Sequence, residues 1–103
     1  MITQRRVFQA KIGQAVHVVA KMKEFQPLFE KHCGPTTRIY TDLFSGNTDR
    51  IVWEFDAESL GGLENIFWAA GQDEDYQKAY ESWYESLKPL IEVATVELWN
   101  KEM

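Results

Sequence analysis

Residues 49–59 read DRIVWEFDAES. Laid out as a strand, this stretch sends Ile51, Trp53 and Phe55 to one face and Val52 and Glu54 to the other, because strand side chains alternate with a period of two. The first face is core surface. The second is mixed, neither clean solvent surface nor clean core. With 103 residues the chain is expected to form one domain, residues 1–103. It buries about 60–70% of its unfolded surface, enough for one modest core. Little chain is left to cover a second sheet face.

The remaining elements follow from periodicity. Residues 4–12, QRRVFQAKI, alternate as a first strand, with Arg6, Phe8, Ala10 and Ile12 on one face and Arg5, Val7, Gln9 and Lys11 on the other. A helix from about Gln14 to Cys33 carries Ala15, Val18, Met22, Phe25 and Phe29 as one apolar stripe, widened by Val19. Pro27 lies inside that pattern, so a kink or break is expected near Glu24–Gln26. Gly34–Pro35 ends the helix. TTRIYTDLF, 36–44, is β-branched and aromatic and reads as the second strand. SGNTD, 45–49, turns the chain into the third strand as an antiparallel hairpin.

ESLGGLENIFWAAG, 58–71, reads as a helix with Leu60, Leu63, Phe67 and Ala70 on one side and a first turn loosened by Gly61 and Gly62. DEDYQKAYESWYESL, 73–87, is a second helix: Asp73, Glu74 and Asp75 suit its positive N-terminal end, and Tyr76, Tyr80, Trp83, Tyr84 and Leu87 form its stripe. After Pro89, IEVATVELW, 91–99, is the last strand. The order β-α-β-β-α(α)-β gives an α+β, ferredoxin-like fold: a four-stranded antiparallel sheet with its helices on one face.

The other face then carries Val7, Val52 and Val93 among Gln9, Glu54 and Glu97. Pairing with an identical sheet would complete it. A specific interface buries about 800 Å² per partner, about what one small sheet offers, and two-fold homodimers are the commonest oligomers. A homodimer through the sheet faces is therefore expected.

A net charge of −5 opposes nucleic-acid binding, which needs a basic footprint. No stretch approaches the ~20 apolar residues of a membrane span, and MITQRRVFQAKIG lacks a signal-length apolar run. The single cysteine, Cys33, allows no intrachain disulfide. A cytoplasmic protein is the expectation.

Chemistry-bearing residues are few. His17 reads as a solvated helix residue. His32 lies at a helix C-terminus and suits its dipole. Adjacent helix residues do not face one another, so His32 and Cys33 do not make a metal site, which needs three or four converging ligands. Cys33 has no visible base to activate it. Asp73–Asp75 read as a helix start, and Glu54 and Asp56 as partners of Arg38 and Arg50 across the hairpin. No glycine-rich phosphate loop and no nucleophile elbow occur, and GG at 61–62 alone is weak evidence. No metal or other cofactor is called for. What remains is a set of fourteen aromatics. Packed between sheet and helices they are either a filled core or the wall of a pocket for a flat or apolar molecule. Arg6, Phe8, Trp53, Phe67, Trp68, Tyr80 and Trp83 are the candidate pocket residues, with Arg6 as a possible charge and Gly61–Gly62 as a gate.

The order of these segments resembles the NIPSNAP family. QRRVFQAKIG is similar to its opening strand, with Arg6, Phe8 and the strand-ending Gly13. GPTTRIYTD, WEF with Trp53 and Phe55, SLGGLE and DEDYQKAY follow in the family's order, and the resemblance spans nearly the whole chain. It implies membership of the dimeric α/β-barrel superfamily, whose members pair sheets back to back and whose small-molecule cavity lies between sheet and helices. Enzymes of that superfamily include cofactor-independent monooxygenases, haem-degrading enzymes, isomerases and mutarotases. Fold carries over better than function. Three readings stay open: a homodimeric protein binding a small apolar or aromatic molecule, a cofactor-independent monooxygenase or isomerase of an aromatic or polyketide-like substrate, and a structural dimer with a filled core.

Overall fold

The computed structural model of the protein describes all residues, 1–103. In chain order it contains β1 (Ile2–Ala10), α1 (Ala15–Cys33), β2 (Arg38–Thr41), β3 (Arg50–Ala57), α2 (Leu60–Gly71), α3 (Glu74–Leu87), a 3-10 turn (Lys88–Leu90) and β4 (Ile91–Asn100). The four strands form one antiparallel sheet in the order β2-β3-β1-β4, the ferredoxin-like arrangement expected from the sequence.

The register fixes the faces. Arg6 stands between Trp53 on β3 and Val96 on β4, and Ile39 on β2 stands beside Trp53. One face therefore presents Gln4, Arg6, Phe8, Ile51, Trp53 and Phe55 to the helices. Against it α1 lays Val18, Met22, Phe25 and Phe29, all buried, and α3 lays Tyr76, Trp83 and Leu87. Val18, Met22 and Ile51 are fully buried and Leu87 nearly so. Each such side chain contributes about 1.5–3 kcal/mol of transfer free energy.

Three local expectations are corrected. First, the helix does not break at Pro27: α1 continues through it to Cys33. Proline removes the hydrogen bond to the Lys23 carbonyl, but Lys23 and Pro27 both lie on the exposed side of the helix, where water can satisfy that carbonyl. Meanwhile Met22, Phe25 and Phe29 keep the buried stripe continuous. Second, β2 is only Arg38–Thr41 rather than 36–44. Beyond Thr41 the chain leaves the sheet as an exposed loop with Leu43 and Phe44 in solvent, so β propensity alone did not hold it. Third, β1 begins at Ile2 and ends at Ala10, leaving Ile12 89% exposed. The first turn of α2, weakened by two glycines, is held by the Ser59 hydroxyl, which accepts from the Gly62 N–H at 3.0 Å.

The long loop before β3 has a structural task. The N-cap of α1, Gln14, makes no side-chain cap. Asp49 supplies one from the hairpin: its carboxylate accepts from the Ala15 N–H at 3.2 Å, while its carbonyl accepts from the Ala10 N–H at 2.9 Å. Asp49 takes the left-handed backbone (φ 60°), which aspartate and asparagine tolerate better than most residues. Backbone N–H groups of Gly13 and Ala15 hold its carboxyl below the usual range.

No element of the chain covers the opposite face of the sheet. At its β2-β3-β1 side it is closed by charge instead. Glu54, 5% exposed, accepts from Arg5 Nε at 2.8 Å and Arg38 Nε at 2.9 Å. Asp56 accepts from the Arg38 guanidinium at 2.8 and 3.0 Å, the Thr3 hydroxyl at 2.7 Å and Lys101 Nζ at 2.9 Å. The expected partner Arg50 is not part of this cluster; it reaches the Ser45 carbonyl instead. Burial raises the Glu54 pKa, but the two arginines outweigh it and the net shift is downward. The bonds from Arg38 hold Asp56 far below the usual carboxylate range. β4 differs again. Val93 and Trp99 on this face, and Val96 and Leu98 on the helix side, are all more than half exposed, so the helices stop short of this edge strand.

Two predictions follow from these contacts. Asp49→Ala should lower the urea midpoint more than Asp49→Asn, which retains both the left-handed conformation and an acceptor; equal midpoints would remove the capping role. Because Glu54 and Asp56 titrate below their unfolded values, their contribution is complete at neutral pH and is lost as pH falls through the depressed folded values. Thermal stability should therefore be level from pH 7 to about 5 and decline below about 4, and Arg38→Ala should flatten that decline.

Candidate functional site

Between the helix-facing side of the sheet and the three helices lies a cavity of about 230 Å³. Its floor is β1 and β3: Gln4, Arg6 and Phe8 from the first, Trp53 and Phe55 from the second. The alternation of each strand delivers these residues to one face, and the antiparallel register sets Arg6 directly beside Trp53. Phe25 and Phe29 of α1 form one wall. The other wall is α3, where Tyr76, Tyr80 and Tyr84 recur every fourth residue. Their rings stack along the helix at 6.4 and 5.8 Å with interplanar angles of 22° and 18°, as i, i+4 neighbours can. Phe67 and Tyr84, each 40% exposed, stand at the rim.

The wall is rigidly built. Phe25 stacks on Trp83 with centroids 4.5 Å apart and planes 19° from parallel. Trp53 meets Phe25 edge-on and lies 5.9 Å from Trp83. The Trp83 indole N–H donates to the Lys21 carbonyl of α1 at 2.7 Å, which ties α3 to α1. The Trp53 indole N–H is buried and has no acceptor.

Of the seven residues singled out from sequence, Arg6, Phe8, Trp53, Phe67, Tyr80 and Trp83 surround this one space. Trp68 does not. It is 70% exposed, because one residue further along α2 rotates the side chain about 100° away from Phe67. The cavity also includes Gln4, Gln77 and Phe25, which sequence reasoning did not place there. Gln4 fell outside the apolar pattern, although its even position on the same strand as Arg6 and Phe8 was the available signal.

The polar lining is sparse: Gln4, Arg6, Gln77 and the tyrosine hydroxyls. Gln77 is engaged, its amide donating to the Ala70 carbonyl at 3.1 Å. Burial, reinforced by Cys33, pushes the Tyr76 hydroxyl well above the ordinary phenol range, and the Cys33 thiol donates to it at 3.5 Å. Tyr76 is thus a fixed neutral phenol, not a base. Burial also pushes the Cys33 thiol up, away from a nucleophilic thiolate. His17 is exposed. The Nδ1 of His32 lies 2.9 Å from the Asp73 carboxylate, whose other oxygen caps α3 at the Tyr76 N–H. His32 therefore joins the end of α1 to the start of α3. No three His, Cys, Asp or Glu side chains converge anywhere in the molecule, and no helix is long and apolar enough to cross a membrane.

No protein-family model and no curated protein matches this sequence. Solved structures do. A NIPSNAP domain protein of uncharacterised function from Burkholderia xenovorans superimposes with a TM-score of 0.80 at 12% identity, covering 98% of this chain and 94% of its own. A NIPSNAP family protein from Agrobacterium tumefaciens gives 0.74 at 14%, covering 96% and 90%. A protein from Deinococcus radiodurans, provisionally assigned as an antibiotic biosynthesis monooxygenase, gives 0.67 at 11%, covering 100% and 94%. At this identity the likeness is one of fold: the chain has the ferredoxin-like architecture that NIPSNAP domains and such monooxygenase-fold proteins share.

Replacing Trp83 with phenylalanine keeps the stack on Phe25 but removes the bond to Lys21. It should cost about 1 kcal/mol in urea denaturation, with the near-ultraviolet circular dichroism of the aromatic cluster altered. An unchanged midpoint would show that this tie contributes nothing.

Proposed function

We propose that the protein is a cytosolic homodimer whose protomers each take a small apolar or aromatic molecule into the cavity between sheet and helices. The observation that carries this reading is the cavity itself: about 230 Å³ of space, twelve of whose fifteen lining residues are hydrophobic, inside an otherwise well-packed core. A dry apolar cavity of about 150 Å³ suffices for benzene, so this one suits a molecule of one or two rings. The stacked tyrosines and Trp53 offer flat faces against which such a ring packs.

The dimer rests on the exposed strand β4. Val93, Val96, Leu98 and Trp99 leave apolar surface on this edge strand that the chain's own helices do not reach, and Tyr40 adds to it on β2, at the opposite edge of the sheet. An edge of this kind is ordinarily covered or blunted, and a second copy of the same sheet presents a matching surface.

One observation favours an enzymatic variant of this reading. Tyrosine and tryptophan side chains surround the cavity, and three proteins of this fold carry a provisional monooxygenase assignment. In that variant the residues position an aromatic or polyketide-like substrate whose own electrons react with oxygen. The chain contributes orientation and exclusion of water, since the lining holds no histidine and no carboxylate.

Native mass spectrometry of freshly purified protein tests both parts. The expected species has twice the 12.0 kDa chain mass plus a small adduct released on denaturation; a bare monomer would defeat the proposal. Widening Ala70 of the lining to leucine should weaken binding of a two-ring hydrocarbon such as naphthalene by about tenfold, read by isothermal titration calorimetry.

A further inference from the structure

The cavity is almost entirely apolar, yet it contains a cation without a counterion. The chain has four arginines. Arg5 and Arg38 are bonded to Glu54 and Asp56, and Arg50 donates to the Ser45 carbonyl. Arg6 alone makes no ion pair and no side-chain hydrogen bond, although it is only partly exposed and lines the cavity. The register sets it beside Trp53, on the helix side of the sheet. No carboxylate belongs to the lining.

A second polar group stands next to it. Gln4, two residues before Arg6 on the same strand face, is 7% exposed, lines the cavity and makes no side-chain hydrogen bond. Trp53, paired with Arg6 across the ladder, carries the buried indole N–H that lacks an acceptor. Of these three donor-bearing side chains on adjacent strands, the Trp53 indole is shut off from solvent without a partner, and Arg6 and Gln4 border the cavity with donors that no protein group engages.

We propose that the ligand of this cavity is an aromatic anion, its ring held among Phe25, Tyr80 and Trp83 and its acidic oxygens bound by Arg6 and Gln4. The inference rests on the reading of the cavity as a binding site and adds the charge and polarity of what fills it. A planar guanidinium matches a carboxylate in two-point geometry. The aromatic surroundings screen that pair from water and so strengthen it. A neutral hydrocarbon of the same shape would leave the donors without acceptors. The ligand class is therefore an aryl carboxylate or a comparably acidic aromatic oxygen acid.

The test compares 2-naphthoate with its neutral counterpart 2-naphthamide by isothermal titration calorimetry near neutral pH, on the full chain. The expected result is binding of both, with naphthoate tighter by about tenfold or more. Arg6→Gln should bring the two affinities together by weakening naphthoate and leaving naphthamide unchanged. Gln4→Leu should narrow the same gap without closing it, and it decides the matter should the arginine variant not fold. Equal affinities in the unaltered protein, or a preference that survives both substitutions, would overturn the anion assignment while leaving the cavity a binding site. Failure of both compounds to bind would remove the binding site itself and the inference with it.

Discussion

The stack of Phe25 on Trp83, seated over Trp53, holds the molecule together. It joins α1, α3 and β3 at one point, and the Trp83 bond to the Lys21 carbonyl locks that junction. Rings this large cannot be packed by one helix against a sheet without leaving uneven edges. Here the edge is a cavity, bounded on one side by the tyrosine ladder of α3 and on the floor by β1. The packing that stabilises the fold and the space available to a ligand are two consequences of the same arrangement of aromatic rings.

The two faces of the sheet solve different problems. The helix-facing side excludes water with apolar surface; Gln77, Tyr76 and Trp83 find partners there, whereas Arg6 and the Trp53 indole do not. The opposite side keeps its charges by pairing them. Glu54 is buried under Arg5 and Arg38, and Asp56 gathers Arg38, Thr3 and Lys101. A carboxylate as sheltered as Glu54 is tolerable only with such partners. A side of the sheet that looks half polar in sequence is thus a set of bonds made across three strands. The contrast sharpens the meaning of Arg6: Arg5 and Arg38 are paired with carboxylates, and the arginine facing the cavity is not.

Much of the fold was legible from periodicity. The switch between a period of two and a period of 3.6 located the strands and helices, and of the residues in the helix stripes Val18, Met22, Phe25, Phe29, Leu63, Ala70, Tyr76, Trp83 and Leu87 are buried, whereas Leu60, Phe67 and Tyr84 are exposed. The misreadings have one origin. Pro27 and the extended span expected for β2 were judged from local propensity, and Trp68 from its being aromatic. In each case the outcome depended on which side faces solvent, a property of the assembled molecule. The same holds for Asp49, a loop residue whose role as the cap of α1 depends on a contact 34 positions away in sequence.

The sequence by itself determined the element order and the antiparallel sheet, because hydrophobic alternation and helical stripes leave few ways to bury one small core. It also determined that most of the aromatics on β1, β3, α1 and α3 gather on the helix side. Only the tertiary structure decided that those aromatics leave a space rather than fill it, that Gln4 borders it, and that Arg6 meets no carboxylate there. Those facts depend on register and on the angle at which each ring meets its neighbour. Neither is a property of a residue or its neighbours in sequence; both arise when distant segments compete for the same volume.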